Sequence, residues 1–140
     1  MSENIEKLVV YTDGGSRNNP GHAAIGYVIF DKTGTELERY NQYIGIATNN
    51  EAEYQALLTA VRDISTKYPH CEEIELNLDS ELVVKQLTGV YKIKESRLKT
   101  LANSIHQYLS LIPRFSLKHI LREKNKIADS LVNQALDERK

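Results

Sequence analysis

The chain has 140 residues, 41% of them hydrophobic and 26% charged, with a formal net charge of −1. That is the make-up of one globular domain able to bury about 70% of the surface its unfolded chain exposes. No apolar run approaches the roughly 20 residues a membrane-spanning helix needs. The opening MSENIEKLVV lacks the basic-then-apolar order of a secretory leader, and the single Cys71 cannot close an internal disulfide. A membrane protein and a disulfide-stapled secreted domain are therefore excluded, and a cytoplasmic setting is expected. The small net charge conceals an asymmetry. Between Lys85 and Lys126 ten Lys and Arg face two Glu, whereas elsewhere eight basic residues face seventeen acidic ones. Such polarity suits a polyanionic partner on one side of the molecule, and equally suits solvated helix faces.

Taken in chain order, KLVVYTD reads as a buried strand that ends in Asp13 and enters the glycine- and asparagine-rich turn GGSRNNPG. AAIGYVIFD and TELERYNQYIG, separated by the turn DKTG, complete an antiparallel meander. The period then becomes helical in TNNEAEYQALLTAVRDISTKY. EEIELNLD alternates as a fourth strand, and SELVVKQLTG is a short helix stopped by Gly89. ESRLKTLANSIHQYLSLI is a helix closed by Pro113, FSLKHIL a fifth strand, and NKIADSLVNQALDERK a final helix. The order βββαβααβα predicts an α/β fold: a mixed five-stranded sheet flanked by helices, in a single domain over residues 1–140 with its ordered core at 7–137.

Four carboxylates stand in informative places. Thr48 and Glu51 form a capping box, which gives Glu51 a local structural task. Glu53 instead falls on the helical stripe of Leu57, Ala60 and Ile64, with Ala56 and Val61 beside it, the face that packs on the sheet. A carboxylate there needs a cationic partner or a metal, unless it leans out of the first turn to solvent. Asp13 and Asp79 each follow an apolar strand. If those strands are parallel neighbours, the two acids stand about 5 Å apart at the sheet edge where ligands of α/β folds bind. Asp79 also suits a helix N-cap and Asp13 a local side-chain turn. Asp129 sits on the shoulder of the stripe Ala128, Leu131, Val132, Ala135 and Leu136, or faces solvent in the first helical turn. If all four meet, their mutual repulsion calls for hard divalent cations.

These segments, YTDGGSRNNPGHAAIGYV, ATNNEAEYQALLTAV, LNLDSELVVKQLTGVYKIK and REKNKIADSLVNQAL, together resemble the ribonuclease H type 1 family over nearly the whole chain. The resemblance implies a ribonuclease H-like sheet whose second strand is antiparallel to the rest. It implies a monomeric endoribonuclease that hydrolyses the RNA strand of RNA–DNA hybrids with two Mg²⁺ ions, Mn²⁺ substituting, leaving 3′-hydroxyl and 5′-phosphate ends. Its metal-binding and catalytic acids map to Asp13, Glu53, Asp79 and Asp129. Gly14, Ser16, Asn19, Asn49 and Asn50 match positions that read 2′-hydroxyls, and Thr48 one that holds a DNA-strand phosphate. Three departures stand out. The long basic handle of many bacterial members is reduced to GVYKIKESRL, where Lys92 and Lys94 remain as DNA contacts and Tyr91 is expected first in the core, second as a stacking surface. Glu81 stands where Gln is common. The family's mobile loop histidine maps by spacing to His119 and by pattern to Arg122; a strand histidine is more often structural, which favours Arg122. An arginine there acts by charge and not as a general base. Outside that reading stand a same-fold nuclease for other nucleic acids and a non-catalytic hybrid-binding module.

Overall fold

The computed structural model describes residues 6–139. Strands β1 (Lys7–Arg17), β2 (Gly21–Asp31) and β3 (Glu36–Ala47) form the predicted meander. β4 (Glu73–Leu78) pairs parallel with β1, and β5 (Arg114–His119) parallel with β4. The sheet order is therefore β3-β2-β1-β4-β5, with β2 alone running against the others. Helices α1 (Asn49–Lys67), α2 (Glu81–Leu87), α3 (Ser96–Leu109) and α4 (Lys126–Glu138) follow the expected order, with a 3₁₀ turn at Arg122–Lys124 before α4.

One boundary differs in a way that matters. β1 does not end at Asp13. Its antiparallel ladder with β2 continues through Gly14↔Ile25 to Arg17↔His22, while its parallel ladder with β4 stops at Thr12↔Leu78. Asp13 is thus an interior strand residue that has lost its neighbour on one side only. The glycine pair is extended backbone and the turn proper is shorter, passing through Asn18 at φ 73°. Gly14 serves close approach rather than turning. A Cβ there would stand 2.1 Å from the Ala52 carbonyl oxygen of α1. The opposite face carries a matching device: at Gly26, the cross-strand partner of Asp13, a Cβ would stand 2.8 Å from Leu131 Cβ of α4.

Neighbouring residues of a strand point to opposite faces, so α1 and α4 sandwich the sheet, and Asp13 shares the α4 face. The main core lies under α1, where Leu8, Val10, Tyr27 and Ile29 of the sheet meet Leu57 and Ile64, with Leu76, Val83 and Ile105 closing the side. Each such side chain contributes about 1.5–3 kcal/mol by leaving water. The α4 side is thinner: Ala24 packs against Val132, Ala135 and Leu136. That thin layer leaves room for a cleft beside α4. Among the described residues no helix is long and apolar enough to cross a membrane. The expectation about an N-terminal leader rests partly on residues 1–5, outside the described residues.

Candidate active site

The end of the β1–β4 ladder brings three acids together. Asp13 follows Thr12 and Asp79 follows Leu78, so the last parallel pair places them side by side. Glu53 descends from the first turn of α1 over Gly14, whose N–H donates to Glu53 Oε1 at 3.1 Å. Carboxylate oxygens of Asp13, Glu53 and Asp79 all lie within 4.8 Å of one another. None of the three forms an ion pair with a Lys, Arg or His among the described residues. The buried salt bridge that would have explained Glu53 structurally is therefore not formed. Nor is Asp79 a helix cap, because Ser80 takes that place, its Oγ accepting the Val83 N–H at 3.2 Å.

Asp129 stands outside this triad. It lines the same cleft from the first turn of α4, with Arg122 Nη2 3.8 Å from its Oδ1 and Asn133 Nδ2 donating to Oδ2 at 3.5 Å. The expected meeting of four acids is thus a triad, Asp13 and Glu53 buried and Asp79 partly so, with a part-exposed fourth member beside Asp13 at its rim. The cleft, about 370 Å³, is also lined by Gly14, Gly15, Ser16, Arg17, Asn49, Arg122, Val132, Asn133 and Leu136.

Crowding carboxylates in a poorly hydrated place penalises the charged forms of the two buried ones, Asp13 and Glu53. Burial, then the charges of Asp79 and Asp129, pushes the Asp13 carboxyl up to about 8. Burial, then Asp13 and Asp79, also holds Glu53 well above the usual carboxylate range. A structural cluster would carry a Lys or Arg in its midst. This one offers an all-oxygen donor set and excess negative charge, which fits a hard divalent cation.

Glu51 and Glu53 prove equally hidden, with 5% and 8% of their surface exposed, so the face-based distinction between them does not hold. Their partners separate them. Glu51 accepts the Thr48 N–H at 2.9 Å, Thr48 Oγ1 accepts the Glu51 N–H at 3.1 Å, and Arg97 of α3 covers Glu51 in an ion pair. Arg97 and the Thr48 backbone hold the Glu51 carboxyl below the usual range. One glutamate has a cationic partner in the fold and the other, held only by the Gly14 N–H, has none among the described residues.

The other expected positions fall in three groups. Ser16, Asn19 and Asn49 are stitched into one polar ledge beside the triad. The Ser16 N–H and Oγ meet Asn49 Oδ1 at 2.9 and 3.2 Å, and the Asn49 N–H donates to Asn19 Oδ1 at 3.0 Å. Gly14 and Thr48 carry their structural duties there, and Asn50 sits half-buried in the same first turn of α1. Tyr91, Lys92 and Lys94 lie exposed beyond α2. Tyr91 is not a core residue: 46% of its surface is open, and Lys85 Nζ sits 5.2 Å above its ring. The short segment lacks a second layer to cover it. Glu81 is exposed and paired with Lys85 at 3.0 Å, which offsets its charge. His119 ends β5, exposed and not lining the cleft, whereas Arg122 does line it.

Sequence reasoning passed over Asn125. It is buried, and its Nδ2 donates to the Thr12 carbonyl at 2.9 Å and to Asp79 Oδ2 at 3.4 Å, while its own carbonyl accepts the Asp129 N–H at 3.0 Å. Its side chain thereby ties β1 to Asp79, while its backbone carbonyl takes the first helical bond of α4. The available signal was its place four residues before Asp129, at the helix entrance.

The Reverse transcriptase-like family model matches residues 11–135. Ribonuclease HI of Halobacterium salinarum is 39% identical over 94% of this chain and 65% of its own length. The bifunctional protein Rv2228c of Mycobacterium tuberculosis is 39% identical over 94% of this chain and 36% of its own length. The chain thus spans between about a third and two thirds of these curated relatives. Among solved structures, RNase H1 of H. salinarum superposes with a TM-score of 0.89 at 38% identity, covering 94% of this chain and 98% of that one. LC11-RNase H1, solved in complex with an RNA/DNA hybrid, also gives 0.89, at 44% identity over 94% and 98%. With its sheet order, its clustered acids and these likenesses in agreement, the chain belongs to the ribonuclease H type 1 family.

Proposed function

We propose that the chain is an endoribonuclease that hydrolyses the RNA strand of RNA–DNA hybrids, leaving 3′-hydroxyl and 5′-phosphate ends. The observation that carries this reading is the unpaired carboxylate triad at the head of a polar cleft. Asp13, Glu53 and Asp79, with Asp129 at the rim, would hold two Mg²⁺ ions, Mn²⁺ substituting. Such ions supply a nucleophile at neutral pH and stabilise the oxygens of an in-line displacement.

The chain's own residues do the rest. The Gly14 N–H and Asn125 Nδ2 fix the directions of Glu53 and Asp79. The ledge of Ser16, Asn19 and Asn49 supplies hydroxyl and amide groups of the kind that distinguish a 2′-hydroxyl from hydrogen. Water attacks the phosphorus, the P–O3′ bond breaks, and the 3′ oxygen takes up a proton. Arg122, always charged, stabilises negative charge on the departing phosphate and does not move a proton. Tyr91, Lys92 and Lys94 offer a ring face and two cations to the DNA backbone.

The test is to incubate labelled hybrid, DNA duplex and double-stranded RNA with the protein in Mg²⁺ or Mn²⁺, comparing wild type with Asp13→Asn. Cutting confined to the RNA strand of the hybrid, and lost in the variant, is expected. Equal cutting by both proteins, or a preference for DNA duplex, overturns the reading.

A further inference from the structure

The cleft has a second end that the proposed chemistry does not use. Along β1, Asp13, Gly15 and Arg17 alternate onto one face. At a rise of about 3.3 Å per residue, Arg17 stands roughly 13 Å beyond Asp13. Facing this row, α4 presents Asp129, Asn133 and Asp137, each four residues after the last and so along one side of the helix. The trough between the rows is floored by Gly15, Val132 and Leu136. It is open where a side chain could have filled it: a Cβ on Gly15 would meet nothing closer than 3.9 Å. Acids occupy one end and the Arg17 guanidinium the other.

Arg17 is loosely held there. Its Nη2 lies 2.7 Å from Asp137 Oδ1 and donates to the Asn133 carbonyl at 3.5 Å, but the pair is open to solvent, with side-chain exposures of 50% and 66%. An exposed ion pair contributes about 0–1 kcal/mol, so it yields readily to a stronger anion. A phosphodiester is such an anion, and the guanidinium fork matches its oxygens. A nucleic-acid strand whose scissile phosphate sits at the triad and which follows the trough passes directly by this group.

We propose that Arg17 leaves Asp137 to bind a second phosphate of the cleaved strand, and so sets how far the RNA must extend past the cut. This rests on the hybrid-nuclease reading above. Arg17→Ala is expected to raise KM about 5- to 30-fold, the gain of a charged hydrogen bond less the exposed pair it replaces. It should leave kcat unchanged and make the slope of log(kcat/KM) against log[NaCl] shallower by about 1, the mark of one lost phosphate contact. Arg17→Lys should retain the slope with an intermediate KM. Asp137→Asn, which only frees the arginine, should leave KM unchanged or lower it. An RNA tract shortened on the Arg17 side should show the wild-type KM rising to that of Arg17→Ala.

Wild-type KM and salt slope in Arg17→Ala overturn the proposal. So does an equal KM defect in Asp137→Asn, which would make the pair structural. Failure of the wild type to cut the hybrid in the same assay removes the nuclease reading and this one with it. Normal wild-type cutting beside an indifferent Arg17→Ala removes only the role of Arg17.

Discussion

Replacing Asp13 by Asn should destroy activity and stabilise the metal-free protein. In the folded chain the Asp13 carboxyl titrates at about 8 rather than near 4, because burial and then Asp79 and Asp129 disfavour its charge. The folded state therefore binds more protons than the unfolded chain between about pH 4 and 8, and stability falls as pH rises through that window. Each tenfold difference in proton affinity between the two states corresponds to about 1.4 kcal/mol. By pH 7 the carboxyl has passed through about three such factors of ten, an upper limit near 4 kcal/mol that the coupled acids share. Asparagine keeps the shape and removes the charge, so a gain of about 2–4 kcal/mol is expected. At about 3 °C per kcal/mol for a domain of this size, Tm rises roughly 6–12 °C in EDTA at pH 7. Thermal denaturation at pH 5 and 7, with and without Mg²⁺, checks it. The difference between the proteins should shrink toward pH 5, and shrink again when Mg²⁺ stabilises the wild type. An unchanged or lowered Tm for Asp13→Asn in EDTA at pH 7 refutes the view that these acids repel one another in the fold.

Three further outcomes follow from the same geometry. Glu53→Gln should lose at least about a hundredfold in hybrid cleavage while Glu51→Gln, which keeps the capping-box acceptor and gives up only the Arg97 ion pair, cuts normally and loses about 0.5–1 kcal/mol of stability, which paired kinetics and urea melts separate. Gly14→Ala should destabilise by more than about 1–3 kcal/mol, since the added methyl meets the Ala52 carbonyl at 2.1 Å; an unaltered urea midpoint would contradict the close packing of α1 on β1. Asn125→Ala should weaken Mg²⁺ binding, measured by calorimetry, about 10–100-fold, as loss of a group that orients a ligand does.

Much of this protein is legible in one dimension because it is periodic. The β-branched apolar run of KLVVYTD and the alternation in EIELNL marked two central strands, and the stripe Ala56, Leu57, Ala60, Val61 and Ile64 marked the buried side of α1 with each residue in its place. The capping box was readable because its two partners are three residues apart. What lay out of reach depends on contacts between distant segments. Gly14 and Gly15 carry the same letters whether they turn or extend, and only α1 pressing on Gly14 from 38 positions away shows why a strand runs through them. Glu51 and Glu53 look alike by burial; Arg97, contributed by another helix, satisfies one, and the end of the β1–β4 ladder crowds the other with Asp13 and Asp79. Local sequence thus determined where the acids stand along the chain and which elements carry them. Tertiary structure decided which of them share a site, because charge repulsion and desolvation act through space, between side chains that the fold alone makes neighbours.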